Sequence, residues 1–247
     1  MDYHEYLQKA SILNDEFTKL YEKLYKKTSL KDGIYNPTDY FTKDRVKVCV
    51  VLKEINRRDD DDKWEPVSVI DNRFSIYGDK NNPPATAIVR AFKETLLDKK
   101  QLIEGSWTDT ISGIAYVNLS KIPGGSKSND TSLAAIVNGT WNLLMKQLSL
   151  LDADIYVFGG TFKYLWPYFA DDKVWPHLLK STKGEDINDT NHNRLSFYKY
   201  RVTDKDRLFV QTYHPSRHLP LWTDLGVKIL EVFQKFEEGS LIDYSEW

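Results

Sequence analysis

The sequence predicts an α/β fold: a three-layer α/β/α sandwich around a central, mainly parallel four-stranded sheet. Three observations carry that expectation. Apolar, β-branched runs alternate with segments of helical period through most of the chain. The first of these runs is nearly continuous in apolarity, as in parallel strands covered on both faces. The runs also end in polar residues or glycines, at the position where ligands bind in open α/β sheets.

The elements follow in order. Residues 3–27 have helical spacing, with Leu13, Phe17, Leu20, Tyr21 and Leu24 on one apolar face and Lys26 and Lys27 at its end. Residues 31–37 form a turn-rich connection. Val46 to Leu52 is the first core strand, and it leads into Lys53, Glu54 and Asn56. Asp59 to Asp62 then read as a solvated loop, with a metal site as the minor reading. Phe74 and Tyr77 lie in the next segment, followed by the stiff loop Asn81-Asn-Pro83-Pro84 and a helix over about 85–98.

Ile111 to Leu119 is the second core strand, with Asn118 at its end and the glycine pair Gly124-Gly125 beyond. That pair lacks the Gly-Lys-Ser/Thr pattern of a phosphate-binding loop. Asp130 or Thr131 is suited to cap a helix reaching about 149. Ala153 to Gly160 is the third strand, closing on Gly159-Gly160 before a helix through Phe162, Leu165 and Trp166. Residues 171–193 hold no clear period, and Leu195 to Val202 alternates as an additional strand. Leu208 to Gln211 is a short buried strand that breaks at His214-Pro215-Ser216, because Pro215 cannot continue a ladder. A helix over about 222–237 ends the pattern. The whole reads as one domain over 1–247, with 1–40 an N-terminal helical extension and 171–200 an insertion.

Composition sets limits. Hydrophobic residues make up 41% of the 247, enough for a sizeable core, and the formal charge of −2 argues against broad nonspecific DNA affinity. No apolar run approaches the length of a membrane span, and the charged N-terminus lacks a signal-peptide core. The single cysteine, Cys49, excludes an internal disulfide, a four-cysteine iron–sulfur cluster and a zinc site built on a cysteine pair. A reducing, cytoplasmic setting is the simplest inference. A monomer is expected.

Four strand ends thus converge on one rim, carrying Glu54 and Asn56, Asn118, Gly159 and Gly160, and His214 and Ser216. In this ordered set the chain resembles the uracil-DNA glycosylase superfamily over roughly residues 46–235. Leu52-Lys-Glu-Ile55 occupies the place of the family's first motif, so Glu54 matches its water-activating residue. Phe74-Ser-Ile76 is similar to the motif whose Phe stacks on the extruded base. Asn82-Pro83-Pro84 is similar to the loop that pinches the DNA backbone. Tyr116-Val-Asn118-Leu119 is similar to the strand end whose Asn reads the pyrimidine edge. His214-Pro-Ser216 matches the family's His-Pro-Ser motif and is the strongest single match. The first motif differs in lacking the family's Gly and Pro, with Lys53 in a tight-turn position and Asn56 where one branch has a thymine-excluding Tyr. No wedge leucine is assigned after Ser216. These differences bear on the substrate more than on the fold.

The resemblance implies hydrolysis of an N-glycosidic bond in DNA, single- or double-stranded. Catalysis would fall to Glu54, Asn56 and His214. Binding would fall to Lys53, Phe74, Pro83 and Pro84, with Asn118, Gly159, Gly160 and Ser216. No metal or other cofactor is required. The chemistry also stands on its own. Bond cleavage builds positive charge on the sugar, which a carboxylate stabilises while orienting water. The departing base becomes an anion, which a donor such as His214 stabilises. An amide reads a Watson–Crick edge and an aromatic ring stacks on the base.

Each residue also has a plainer reading. Glu54 suits an ion pair with Lys53 or Arg57, Asn118 a loop anchor, Phe74 a core position and His214 a turn. Two other functions stay open. One is a catalytically altered member of the fold that binds nucleic acid or a nucleobase without cleavage. The other is a different α/β enzyme, such as a nucleotide hydrolase using the acidic run with a divalent metal.

Overall fold

The computed structural model describes residues 1–34, 36–42, 46–54, 113–122, 129–169, 178–179, 196–202, 205–212, 229 and 231–238. Helix α1 (Tyr3–Tyr25) starts where the Asp2 side chain accepts from the Glu5 N–H at 2.8 Å. It stops two residues before the expected end, at Lys26 in the left-handed conformation. Tyr6, Leu13, Phe17 and Tyr21 are buried along one stripe. Strand β1 (Gly33–Ile34) and helix α2 (Pro37–Thr42) follow.

Strands β2 (Val48–Leu52) and β3 (Ile114–Asn118) come next, then helix α3 (Asp130–Leu151). Strand β4 (Ile155–Gly159) leads into helix α4 (Phe162–Phe169). Strands β5 (Leu178–Leu179), β6 (Ser196–Val202) and β7 (Lys205–Thr212) complete the sheet, and residues 231–237 are helical. Asn129 caps α3, one residue ahead of the expected Asp130 or Thr131, by accepting from the Ser132 N–H at 3.0 Å. Asp130 can therefore turn its carboxylate to other partners.

The fold is α/β with a mostly parallel sheet. Strand order is β1-β3-β2-β4-β7-β6-β5. The middle four, β3, β2, β4 and β7, are mutually parallel. β1 adds antiparallel to β3 at one edge, and β6 and β5 add antiparallel beyond β7. The sheet is therefore wider than the four strands expected. β1 and β5 are two residues each, too short to show any period. β7 begins at Lys205 rather than Leu208, because its polar start pairs with β6. Both β5 and most of β6 come from the stretch read as an insertion, so that stretch feeds the same sheet.

The two faces of the sheet are both covered. Cys49, Val51, Ala115, Val117, Tyr156, Phe158 and Phe209 pack with α1, α3 and α4. Val48, Val50, Ile114, Tyr116, Ile155, Val157, Leu208 and Val210 pack with Ile229 and Phe233. Burial on both faces explains the unbroken apolar run in β2, where each fully buried Val adds about 1.5–3 kcal/mol. The N-terminal extension is part of this core, since α1 supplies Phe17 and Tyr21 to it. No described helix is long and apolar enough to cross a membrane.

Arg207 ties the start of β7 to the turn after α3. Its guanidinium donates to Asp152 and, at 2.7 Å, to Asp154. Asp154 in turn accepts from the Lys47 N–H ahead of β2 at 2.8 Å. The fork geometry of Arg suits two carboxylates at once. Arg207→Ala is expected to lower stability by about 1.5–3 kcal/mol, as for hydrogen bonds to charged groups. A urea melt in which the variant matches the wild type would show that the aspartates re-solvate without cost.

Candidate functional site

The C-terminal ends of the four parallel strands share one edge of the sheet. Leu52 lies opposite Asn118, and Gly159 opposite Thr212. Strand order reverses at β2, with β3 on one side and β4 on the other. Ligands in open α/β sheets bind in the crevice at such a reversal. Lys53, Glu54, Asn118, Gly159 and Gly160 are thus brought to one rim.

Pairing between β2 and β3 outlasts the strands themselves. The Leu119 and Ser120 N–H groups donate to the Leu52 and Lys53 carbonyls, each at 2.9 Å. Pairing between β2 and β4 stops earlier, at Val51 opposite Phe158. There the Thr161 hydroxyl takes over, donating to the Val51 carbonyl at 2.8 Å. Gly160 follows β7 instead, its N–H donating to the Thr212 carbonyl at 2.7 Å. Its φ of 70° is one that a side chain would strain, which accounts for glycine at this turn. The rim therefore divides between β2 and β4.

Lys53 and Glu54 stand on one side of that division, with different surroundings. Lys53 Nζ reaches Asp130 at 3.1 Å and lies 5.8 Å from the centre of the Tyr164 ring. Asp130 also accepts from Lys163 Nζ at 2.6 Å and the Tyr164 hydroxyl at 2.5 Å. These donors, Lys163 foremost, hold its carboxyl well below the usual range. Burial, with Asp130 and Glu54 nearby, pushes the Tyr164 hydroxyl up. Glu54 is half-buried, and among the described residues no hydrogen bond or ion pair engages its side chain. The alternative pairing of Glu54 with Lys53 does not occur, because Asp130 holds Lys53.

Asn118 ends β3 above a buried polar cluster. Asp32 Oδ2 accepts both its main-chain N–H at 2.6 Å and its side-chain Nδ2 at 3.3 Å. Lys121 Nζ donates to the same carboxylate at 2.7 and 2.9 Å and to Gln147 Oε1 at 2.7 Å. Gln147 Nε2 returns to Asp32 Oδ1 at 2.7 Å. Side chains of Lys121 and Asp32 are only 1% and 2% exposed, so each charge depends on its partners. Burial pushes the Lys121 ammonium below its ordinary value, and Asp32 pulls it partly back. The Tyr21 hydroxyl accepts from the Lys121 N–H at 3.0 Å, which ties α1 into the cluster. Asp32, Lys121 and Gln147 had no signal in the sequence, since buried partners 89 positions apart form no local pattern.

Asn56, Phe74, Pro83, Pro84, His214 and Ser216 lie outside the described residues, as does the acidic run at 59–62. β7 carries the chain to Thr212 on the same edge, two positions before His214. A groove of about 1460 Å³ between α1 and α3, reaching Asp152 and Lys205, includes none of the rim residues. Among the described residues no cluster of His, Cys, Asp and Glu is arranged to hold a metal.

No protein-family model matches the chain, and no curated protein is significantly similar to it.

Proposed function

We propose that this chain is a base-excision glycosylase of the uracil-DNA glycosylase kind. It hydrolyses the N-glycosidic bond of uracil or a related damaged base in DNA. The three-layer, four-stranded family architecture is part of this reading. The observation that carries it is the convergence of Glu54 and Asn118. A half-buried carboxylate, unpaired among the described residues, and an oriented amide stand at the ends of adjacent parallel strands, with Leu52 opposite Asn118. Glu54 activates water and stabilises the sugar cation, while Asn118 reads the base edge. His214 stabilises the departing base anion.

Alkali-induced strand cleavage of a uracil-containing oligonucleotide, with EDTA present, tests the reading. Cleavage supports it. Binding without cleavage supports instead a catalytically altered member of the fold, a reading favoured by Lys53 and its Asp130 partner beside Glu54. Metal-dependent release of phosphate would overturn both.

His214→Ala is expected to slow single-turnover excision by a barrier increase of about 2.7–4 kcal/mol, roughly a hundred- to a thousand-fold. Its thermal melt should match the wild type. Equal excision rates would reduce His214 to a turn residue.

A further inference from the structure

The buried cluster under β3 does more than anchor a loop. Asp32 is an acceptor, so the Asn118 amide must present Nδ2 to it rather than Oδ1. One oxygen, Asp32 Oδ2, takes both the main-chain N–H and Nδ2 of Asn118. An amide hydrogen that shares an acceptor with its own main-chain N–H is the one on the Cβ side. The other amide hydrogen and Oδ1 are left side by side, and among the described residues nothing engages them. That pair is the donor–acceptor edge with which an amide reads a base.

Turning the amide over would exchange the two positions on that edge. It would also set Oδ1 against the Asp32 carboxylate, two acceptors with no proton between them. Asp32 itself is pinned by Lys121 and Gln147 and cannot turn away.

We propose that Asp32 is a positioning residue that locks the Asn118 amide and so makes the rim select an imide edge, a C=O beside an N–H. Such an edge belongs to uracil and related bases. Cytosine presents the reverse pattern and would need the forbidden orientation. A buried polar group left facing the wrong partner discriminates strongly. The selectivity rests on the reading of Asn118 as the base-reading residue, whereas the lock is a property of the free protein.

The test uses the full chain as wild type and as Asp32→Asn/Lys121→Met. The double variant removes the buried pair together, which proteins commonly tolerate. The amide introduced by Asp32→Asn could still accept from the Asn118 main-chain N–H, but it could also donate to a turned-over Oδ1. Two readouts are taken. In isotope-labelled, ligand-free protein, the nuclear Overhauser effect between the Asn118 main-chain proton and its Cβ-side amide proton reports the orientation. Excision from uracil- and cytosine-containing oligonucleotides gives the selectivity ratio. The wild type should show a strong Overhauser effect that weakens in the variant, with the uracil-over-cytosine ratio falling at least about tenfold. A wild type without the Overhauser effect, or a variant retaining it in full, overturns the lock. An unchanged ratio despite a released amide overturns the selectivity. A wild type that shows the effect but excises neither base leaves the lock standing and sinks the base-excision reading, and the selectivity with it.

Discussion

Glu54→Gln is expected to remove most of the proposed base excision while the protein melts like the wild type. Water activation by a positioned base is worth about 10²–10⁴-fold in rate, and Gln can neither take the proton nor stabilise the sugar cation. The fold should not register the change. Among the described residues the Glu54 side chain holds no hydrogen bond or ion pair, so the substitution breaks none there. Its neighbour gives the contrast. Lys53 is committed to Asp130 and does not neutralise Glu54. Single-turnover excision beside a urea melt measures both halves of the expectation. A variant that excises at the wild-type rate removes Glu54 from the chemistry and leaves the base-excision reading without a water-activating group.

Lys121→Met has the opposite profile, with a large stability loss. The substitution leaves Asp32 buried with the Asn118 and Gln147 donors but no cation. Removing one partner of a buried pair costs about 3–5 kcal/mol, because the other charge is stranded. For a chain of this size that lowers the melting temperature by roughly 6–20 °C. Adding Asp32→Asn should recover most of the loss, since no buried charge then remains. A single variant that melts like the wild type would mean that water reaches Asp32. A double variant no more stable than the single one would mean that the pair's geometry, rather than its charge balance, holds this corner of the fold.

The parts of the fold legible in the sequence are those fixed by repetition. β2 is readable because four of its five residues are buried, leaving an unbroken apolar run. α1 and α3 are long enough for a period to emerge, although Asn129 rather than Asp130 or Thr131 caps α3. β1 and β5 are invisible because two residues have no period. The start of β7 is hidden by Lys205, Asp206 and Arg207, a polar run with a tertiary reason at Arg207, which bridges to Asp152 and Asp154. The candidate site divides in the same way. Glu54 and Asn118 are readable as polar residues following apolar runs. Asp32 is not, since it sits in a turn-rich stretch and gains its importance only from Lys121 and Gln147.

The early end of pairing between β2 and β4 has a mechanical consequence. The tail of β2 is stitched to β3, and the end of β4 to β7, so each side of the division moves with a different half of the sheet. Among the described residues only the Thr161 hydroxyl crosses this gap at the level of Val51. Spreading the two sides would lengthen that contact and the bonds by which Asp130 joins Lys53 to Lys163 and Tyr164, without unzipping a ladder bond within either half. Compliance is thus concentrated at the rim between β2 and β4, while the core below it, closed on both faces, stays stiff.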